Sequence, residues 1–397
     1  MKLAARASRI APSPTLAMAA TAKAMAAQGI DVIDFSTGEP DFDTPEPVKA
    51  AAEAAIRSGF TKYTPSSGID ELRGAIVDKL KVEQGLQYEK SQILVSCGAK
   101  HSLYNVAEAL LEEGDEIIIP TPYWVSYSDQ ALLNDATPVL LPTKETEGYA
   151  IDPGELERRI SPKTKAMILN SPSNPTGATY GRPMLERIAA IAVRHDLLVI
   201  SDEIYEKVLY DGANHVSIAS LGPDVAARTV VINGVSKAYA MTGWRIGYAA
   251  GPKDLITAMG NIQSQSTSNP CSISQKAAVA ALRVGEPFTK QMVAEFDRRR
   301  RAIVEGLNAI PGVSCSMPGG AFYAFPNIQA VLGKQGPTGP VHSPTDLAAY
   351  LLKQARIAVV PGEPFGSDSH IRLSYATSME TITNGLKRLR AALDQLT

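Results

Sequence analysis

The chain has 397 residues, 20% of them charged, and 39 Lys+Arg against 41 Asp+Glu leave a formal net charge of −2. That length exceeds one compact core and points to two domains, or one large domain with an appended lobe; so balanced a charge gives no reason to expect nucleic acid or a membrane as partner. No apolar run approaches the span of a bilayer. The scattered Cys97, Cys271 and Cys315 match no zinc or disulfide spacing, and none of the five histidines pairs at metal-ligand spacing, so no metal is expected and a reducing, cytoplasmic compartment is.

Residues 1–30 are alanine-rich and carry Lys2, Arg6, Arg9 and Lys23 with no acid before Asp31. An organelle transit peptide has a similar composition; an N-terminal arm and first helix is the simpler expectation. Short apolar runs then alternate with helical patterns. The expected strands are Ile93–Ser96, Glu116–Ile119, Pro138–Leu141, Ala166–Leu169, Leu198–Ser201, Thr229–Ile232 and Ile246–Ala250. Most lack polar alternation, as strands covered on both faces do, and helical stretches such as His101–Glu112 and Met184–Arg194 lie between them. This is the pattern of an α/β domain with a largely parallel sheet.

After residue 286 the character changes. Glu286–Ile310 reads as one long helix with Glu295/Arg299, Asp297/Arg301 and Arg301/Glu305 at i,i+4 spacing, and the run Arg298–Arg301 reads as a solvated face among interleaved acids. Residues 333–344 form a loop rich in Gly and Pro. A helix follows with Ser343 as N-cap, Pro344 at its first position and Asp346 near its dipole. The expected layout is an arm and part of a small domain over 1–45, a large domain over 46–290, and the rest of the small domain over 291–397.

Ligands of α/β sheets bind beyond the carboxyl ends of the strands, so the turn after each strand matters most. The apolar Thr229–Ile232 leads to Lys237, and Arg245 follows eight residues later among small residues and Trp244. A lysine amine forms imines with carbonyl cofactors, and pyridoxal phosphate needs an amine for its aldehyde and a cation for its phosphate. One lysine is as readily a surface charge, so the other turns decide. Asp202-Glu203-Ile204-Tyr205 follows Leu198–Ser201: the carboxylate can keep a pyridine nitrogen protonated and Tyr205 can donate to a phenolate oxygen, although Asp202 alone also suits an N-cap. After Ala166–Leu169, Asn174 can donate to the same oxygen, from residues that otherwise read as an ordinary turn. After Ile93–Ser96, Cys97-Gly98-Ala99-Lys100-His101 opens a helix whose N–H groups suit a phosphate; it is neither a Walker loop nor a GxGxxG turn. After Glu116–Ile119, Trp124 can stack on a planar ring or simply pack.

Gly38-Glu39-Pro40-Asp41-Phe42, Lys62-Tyr63-Thr64, Pro122-Tyr123-Trp124, Asn174-Pro175-Thr176-Gly177, Asp202-Glu203-Ile204-Tyr205, Ser236-Lys237, Gly243-Trp244-Arg245-Ile246-Gly247-Tyr248 and Arg372-Leu373-Ser374-Tyr375 occur in this order. With them the chain resembles the class I aminotransferases, within which it looks most like the prokaryotic-type aspartate enzymes, some of which also accept prephenate. The resemblance extends from Arg6 to the C-terminal helix. It implies fold type I, with a mainly parallel seven-stranded sheet between helices and a smaller α/β domain, pyridoxal 5′-phosphate as cofactor, and a homodimer.

By the same resemblance Lys237 forms the Schiff base and shuttles the proton, Asp202 pairs with the pyridinium nitrogen, and Asn174 and Tyr205 bind the ring oxygen. Trp124 stacks on the ring, and with Asn174 also borders the substrate. Arg245, Ser236 and the backbone of Gly98-Ala99-Lys100 hold the phosphate, helped by Tyr63 from the other subunit. Arg372 forks onto the substrate α-carboxylate, with the Gly38 backbone beside it. Two departures stand out. Gly234 replaces a serine the family often has three residues before the lysine, leaving Ser236 as the substitute. No arginine can be placed for a distal carboxylate, and Lys100, Ser13 and Thr15 are the expected readers, against the plainer roles of a solvated lysine and capping hydroxyls. The implied reaction is ping-pong transamination between L-aspartate and 2-oxoglutarate, giving oxaloacetate and L-glutamate. Prephenate or an aromatic oxo acid is the second expectation, and a pyridoxal lyase or synthase on the same scaffold is the rival.

Overall fold

The computed structural model describes residues 1–397 except Lys2, Ala11 and Thr338. Its center is a seven-stranded sheet of β1 (Ile93–Ser96), β2 (Glu116–Thr121), β3 (Thr137–Pro142), β4 (Thr164–Asn170), β5 (Leu198–Asp202), β6 (Thr229–Gly234) and β7 (Gly247–Ala250), in the order β1-β7-β6-β5-β4-β2-β3. β7 runs antiparallel to both neighbors; the other pairings are parallel. Branched side chains such as Val230, Val231 and Ile232 are fully buried between helices on the two faces, where a β-branched residue packs well on a pleated surface.

The expected strands are all present, and five of them, β2 to β6, continue past the apolar run. β5 takes in Asp202, β4 takes in Asn170, and the two residues face each other in register. Hydropathy stops at the last apolar residue, whereas the ladder of backbone hydrogen bonds carries on to the polar one that faces the ligand end. The helices shift similarly: Ala99–Leu110 starts two residues before the expected His101, and Arg182–Arg194 two before Met184.

β7 fixes the start of helix Ala99–Leu110. A Cβ on Gly247 would stand 2.2 Å from the Ala99 nitrogen, so strand and helix meet backbone to backbone there. The same constraint accounts for Gly234, where a Cβ would lie 2.8 Å from the Ile246 oxygen. A serine at 234 has no room on this backbone.

A second apolar cluster joins Ile33 and Phe35 to residues from Met292 to Leu396. It holds the antiparallel strands β8 (Tyr323–Ala324), β9 (Val360–Pro361) and β10 (Ile371–Ser374), in the order β9-β10-β8. Ile33–Asp34 pairs in parallel with Ile357–Ala358, which stitches the N-terminal segment to this lobe. The long helix runs Glu286–Asn308 and buries Met292, Phe296, Ile303, Val304 and Leu307. Ser343 caps Pro344–Tyr350 by accepting from the Asp346 N–H at 3.1 Å. The loop before it contains a short ladder, Gln335–Gly336 against Gly339–Pro340, with Thr338 outside the described residues.

The arginine run departs from expectation. Arg298 and Arg301 are exposed, but Arg299 and Arg300 are buried. Arg299 binds Asp41 at 2.7 Å and Glu295 at 2.9 Å, while Arg300 forks onto Asp211 at 2.9 Å and donates to Pro318 O at 2.8 Å. Arg301 pairs with Asp211 and Asp297 instead of Glu305. Two members of the run are interior ties between segments, because a guanidinium can enter a core when its donors are met. No helix of the described residues is long and apolar enough to cross a membrane.

Gly247→Ala should lower the free energy of unfolding by about 1–3 kcal/mol, the usual cost of overpacking. Urea denaturation of the cofactor-free protein measures it, and an unchanged midpoint would show that the close approach is not a constraint.

Candidate functional site

The strand ends open into a cavity of about 370 Å³ bordered by Gly38, Lys100, Trp124, Asn174, Asp202, Tyr205, Ser236, Lys237, Arg245 and Arg372, with Ala99 at one side and Ser13 and Thr15 at the mouth. Of the residues expected from sequence, Gly98 sits just behind this wall against Arg245, and Tyr63 lies outside the cavity, 92% exposed.

Lys237 follows β6 and is half-buried, with Nζ donating to Gly38 O at 2.6 Å. Its pKa falls to about 8, chiefly through burial, with Arg372 and Arg245 acting in the same direction and Glu39 and Asp202 opposing. Asp202 ends β5, 3% exposed, accepting from Tyr127 OH at 2.7 Å and from the Ile204 N–H at 3.2 Å. Burial pushes its carboxyl up to about 6. Among the described residues no cation pairs with it directly, which is costly for a buried carboxylate.

Arg245 has a left-handed backbone, φ 56°, that turns its side chain back toward the start of helix Ala99–Leu110. Its guanidinium donates to Thr242 O at 2.9 Å and Cys97 O at 3.3 Å, and a Cβ on Gly98 would come within 2.3 Å of it. Glycine at 98, with φ 93°, leaves the space open. The first N–H groups of a helix have no intrahelical acceptor, so those of Ala99 and Lys100 add to the guanidinium in a cradle for an anion.

Arg372, on β10, is fully buried and donates to Asn174 Oδ1 at 3.0 Å and Ser36 O at 2.7 Å. Its plane is held over Tyr323, with 4.5 Å to the ring centroid, and its Nε is buried without a partner. With Oδ1 taken, the Asn174 amide nitrogen is free to donate. Tyr205 OH shares a 2.7 Å hydrogen bond with Tyr323 OH.

Lys100 lies with Nζ 4.8 Å over the Trp124 ring, and burial followed by the nearby Arg245 lowers its pKa. Ser13 is at an N-cap position yet makes no side-chain capping bond, and Thr15 Oγ1 is buried without a partner among the described residues. Both residues border the cavity.

Sequence reasoning missed three contributors. Tyr127 lies one helical turn beyond Trp124, edge-on to it at 5.4 Å, and looks like core in the sequence. Tyr323 is embedded in the apolar run Ala321–Phe325, where only its hydroxyl distinguishes it. Lys23 borders the mouth from the N-terminal helix Pro14–Ala27 and had been counted only as arm charge.

A family model described as aminotransferase class I and II matches residues 30–389. The chain is 47% identical to an aspartate aminotransferase of Geobacillus stearothermophilus over 394 residues, 99% of each chain. It is 49% identical over 398 residues to a bifunctional aspartate aminotransferase and glutamate/aspartate-prephenate aminotransferase of Petunia hybrida, covering 99% of this chain and 83% of that one. The crystal structure of an aspartate aminotransferase from Rhizobium meliloti superposes with a TM-score of 0.96 at 47% identity over the whole of both chains.

A lysine lowered to about 8 carries a larger neutral fraction at pH 8 than surface lysines near their ordinary pKa. Amine-directed labeling of the cofactor-free protein at that pH, mapped by mass spectrometry, should therefore modify Lys237 ahead of the exposed lysines that its accessibility would favor. Labeling of Lys237 that rises only above pH 10 would contradict this.

Proposed function

Because the chain belongs to the class I and II aminotransferases, we propose that it transfers the amino group of L-aspartate to 2-oxoglutarate, with pyridoxal 5′-phosphate held in the cavity described above. One observation carries the reading: Lys237, Asp202 and Arg245 reach the same cavity from β6, β5 and the turn before β7. The donor set fits the cofactor. Asp202 is a buried carboxylate without a direct cation partner among the described residues, the space beside Gly98 lies between a guanidinium and a helix start, and Trp124 offers a flat wall.

Pyridoxal phosphate supplies an aldehyde that bonds an amine and a ring that accepts the electron pair released at the substrate Cα. Lys237, neutral in part near pH 8, would be the amine that holds the aldehyde, and its freed amine would move the substrate Cα proton as general base and acid. With the cofactor bound, Asp202, held by Tyr127, would meet the ring nitrogen, Asn174 and Tyr205 would bind the ring oxygen, and Arg245 with Ser236 and the Gly98-Ala99-Lys100 backbone would hold the phosphate. Arg372 keeps the donors not used by Asn174 and Ser36 for the α-carboxylate, next to Gly38. Lys100, Ser13 and Thr15 read the distal carboxylate.

Prephenate as a further acceptor is supported by the bifunctional relative. A homodimer receiving Tyr63 across its interface belongs to the same proposal, supported by that side chain's exposure. So does the partition into 1–45, 46–290 and 291–397, supported by an apolar cluster drawn mainly from Ile33, Phe35 and residues 292–396, which Ile204, Tyr205, Val208 and Tyr210 join from the larger segment. A cytoplasmic setting accords with three free cysteines.

Lys237→Ala should abolish turnover and covalent retention of the cofactor while the protein stays folded. Arg372→Ala should weaken every amino donor, whereas Lys100→Ala should raise KM for aspartate and spare alanine; equal losses for both donors in the second variant would remove Lys100 from the distal subsite. Keto acid formed from aspartate without 2-oxoglutarate would turn the assignment toward a lyase.

A further inference from the structure

Behind the cavity floor lies a buried charge cluster that the proposed reaction does not use. Glu203 follows Asp202 directly, and its side chain is 2% exposed. It accepts from Ser201 Oγ at 2.9 Å and Ser217 Oγ at 2.6 Å, and pairs with His215 Nε2 at 2.9 Å. Glu206 and Lys79, both buried, pair at 2.5 Å; Glu83 pairs with Lys79 at 3.0 Å and with Lys207 at 2.7 Å. The charges of Glu83, Glu203 and Glu206 are matched by Lys79, Lys207 and His215 only when His215 is protonated. Burial would push His215 down, but Glu203 and Glu206 outweigh it and hold the imidazole above its ordinary pKa. Donor atoms of Glu203, Glu206 and His215 lie within 4.8 Å of one another, but Lys79 already supplies a cation beside Glu206.

Without the His215 charge, two buried carboxylates on consecutive residues, Asp202 and Glu203, would be left with one cation fewer. Glu203 is the neighboring charge that opposes ionization of Asp202. We propose that His215 is a positioning residue for Asp202: its ion pair with Glu203 neutralizes the neighboring carboxylate, so that Asp202 stays ionized to face the cofactor's ring nitrogen. This rests on the reading of Asp202 given above. His215 itself touches neither cofactor nor substrate.

The test is the protonation state of the ring nitrogen, read by 15N NMR of protein reconstituted with 15N-labeled pyridoxal phosphate, together with cofactor affinity. His215→Gln keeps a hydrogen-bond donor to Glu203 and removes the charge. It should lose the pyridinium signal within a pH range where the parent retains it, and its cofactor affinity, measured below the raised Asp202 pKa, should fall by up to about tenfold for each unit by which that pKa exceeds the working pH. The double variant H215Q/E203Q removes both charges and should restore the pyridinium signal. A parental signal and affinity in H215Q, or a double variant that loses the proton as readily as the single one, would overturn the proposal. Should H215Q fail to fold, the double variant decides alone: it must fold and keep the proton. D202N, run in parallel, separates the two ideas, since a pyridinium that survives in D202N removes the Asp202 reading itself.

Discussion

A buried carboxylate, Asp202, that no cation among the described residues pairs with directly is the constraint on which the site depends. Asp202 sits at the end of β5, buried on the cavity wall and steadied by one tyrosine hydroxyl and one backbone N–H. Such a group costs folding free energy while it lacks a positive partner, which is what a site for a protonated ring nitrogen would supply. The neighboring features make sense on those terms. The amine of Lys237 is kept partly neutral by burial and by two arginines. The anion cradle has its own separate cation in Arg245, and Arg372 is oriented by aromatic faces before any carboxylate is present.

The backbone makes this geometry possible at a few positions where side chains are excluded. Gly247 lets β7 touch the start of helix Ala99–Leu110, Gly98 leaves room for the Arg245 guanidinium, and Gly38 fits beneath the Tyr323 hydroxyl, 2.5 Å from where a Cβ would be. The N-terminal segment is tied into the same arrangement from both lobes. Gly38 O accepts from Lys237, Glu39 accepts from Thr242 Oγ1 at 2.7 Å, and Asp41 binds Arg299. The strap over the lysine is thus connected to the long helix Glu286–Asn308, which links the site to the packing of the smaller lobe.

Much of this was legible in the sequence, for identifiable reasons. Parallel strands buried on both faces leave plain apolar runs, and the turn after each run faces the ligand side, so position singled out Asp202, Asn174 and Lys237 as candidates while leaving an N-cap, an ordinary turn and a surface charge as alternatives; the ordered motifs of the family resemblance gave them roles. Contributors from outside that logic were not. Tyr127 and Tyr323 act through single hydroxyls on side chains that otherwise pack as core, and no periodicity separates the two uses. The burial of Arg299 and Arg300 was also hidden, because their partners Asp41 and Asp211 are remote in sequence while the acids one turn away suggested a solvated face. Gly234 looked like a lost phosphate contact and is instead a steric requirement of the Ile246 carbonyl.

The central claim is that one aldehyde cofactor is bonded to Lys237 while Asp202 and Arg245 hold its two ends. Borohydride reduction of the reconstituted protein, followed by peptide mass mapping, addresses it most directly. The account predicts a single pyridoxyl adduct, on the peptide containing Lys237. An adduct on another lysine, or none from protein that is folded and saturated with the cofactor, would contradict it.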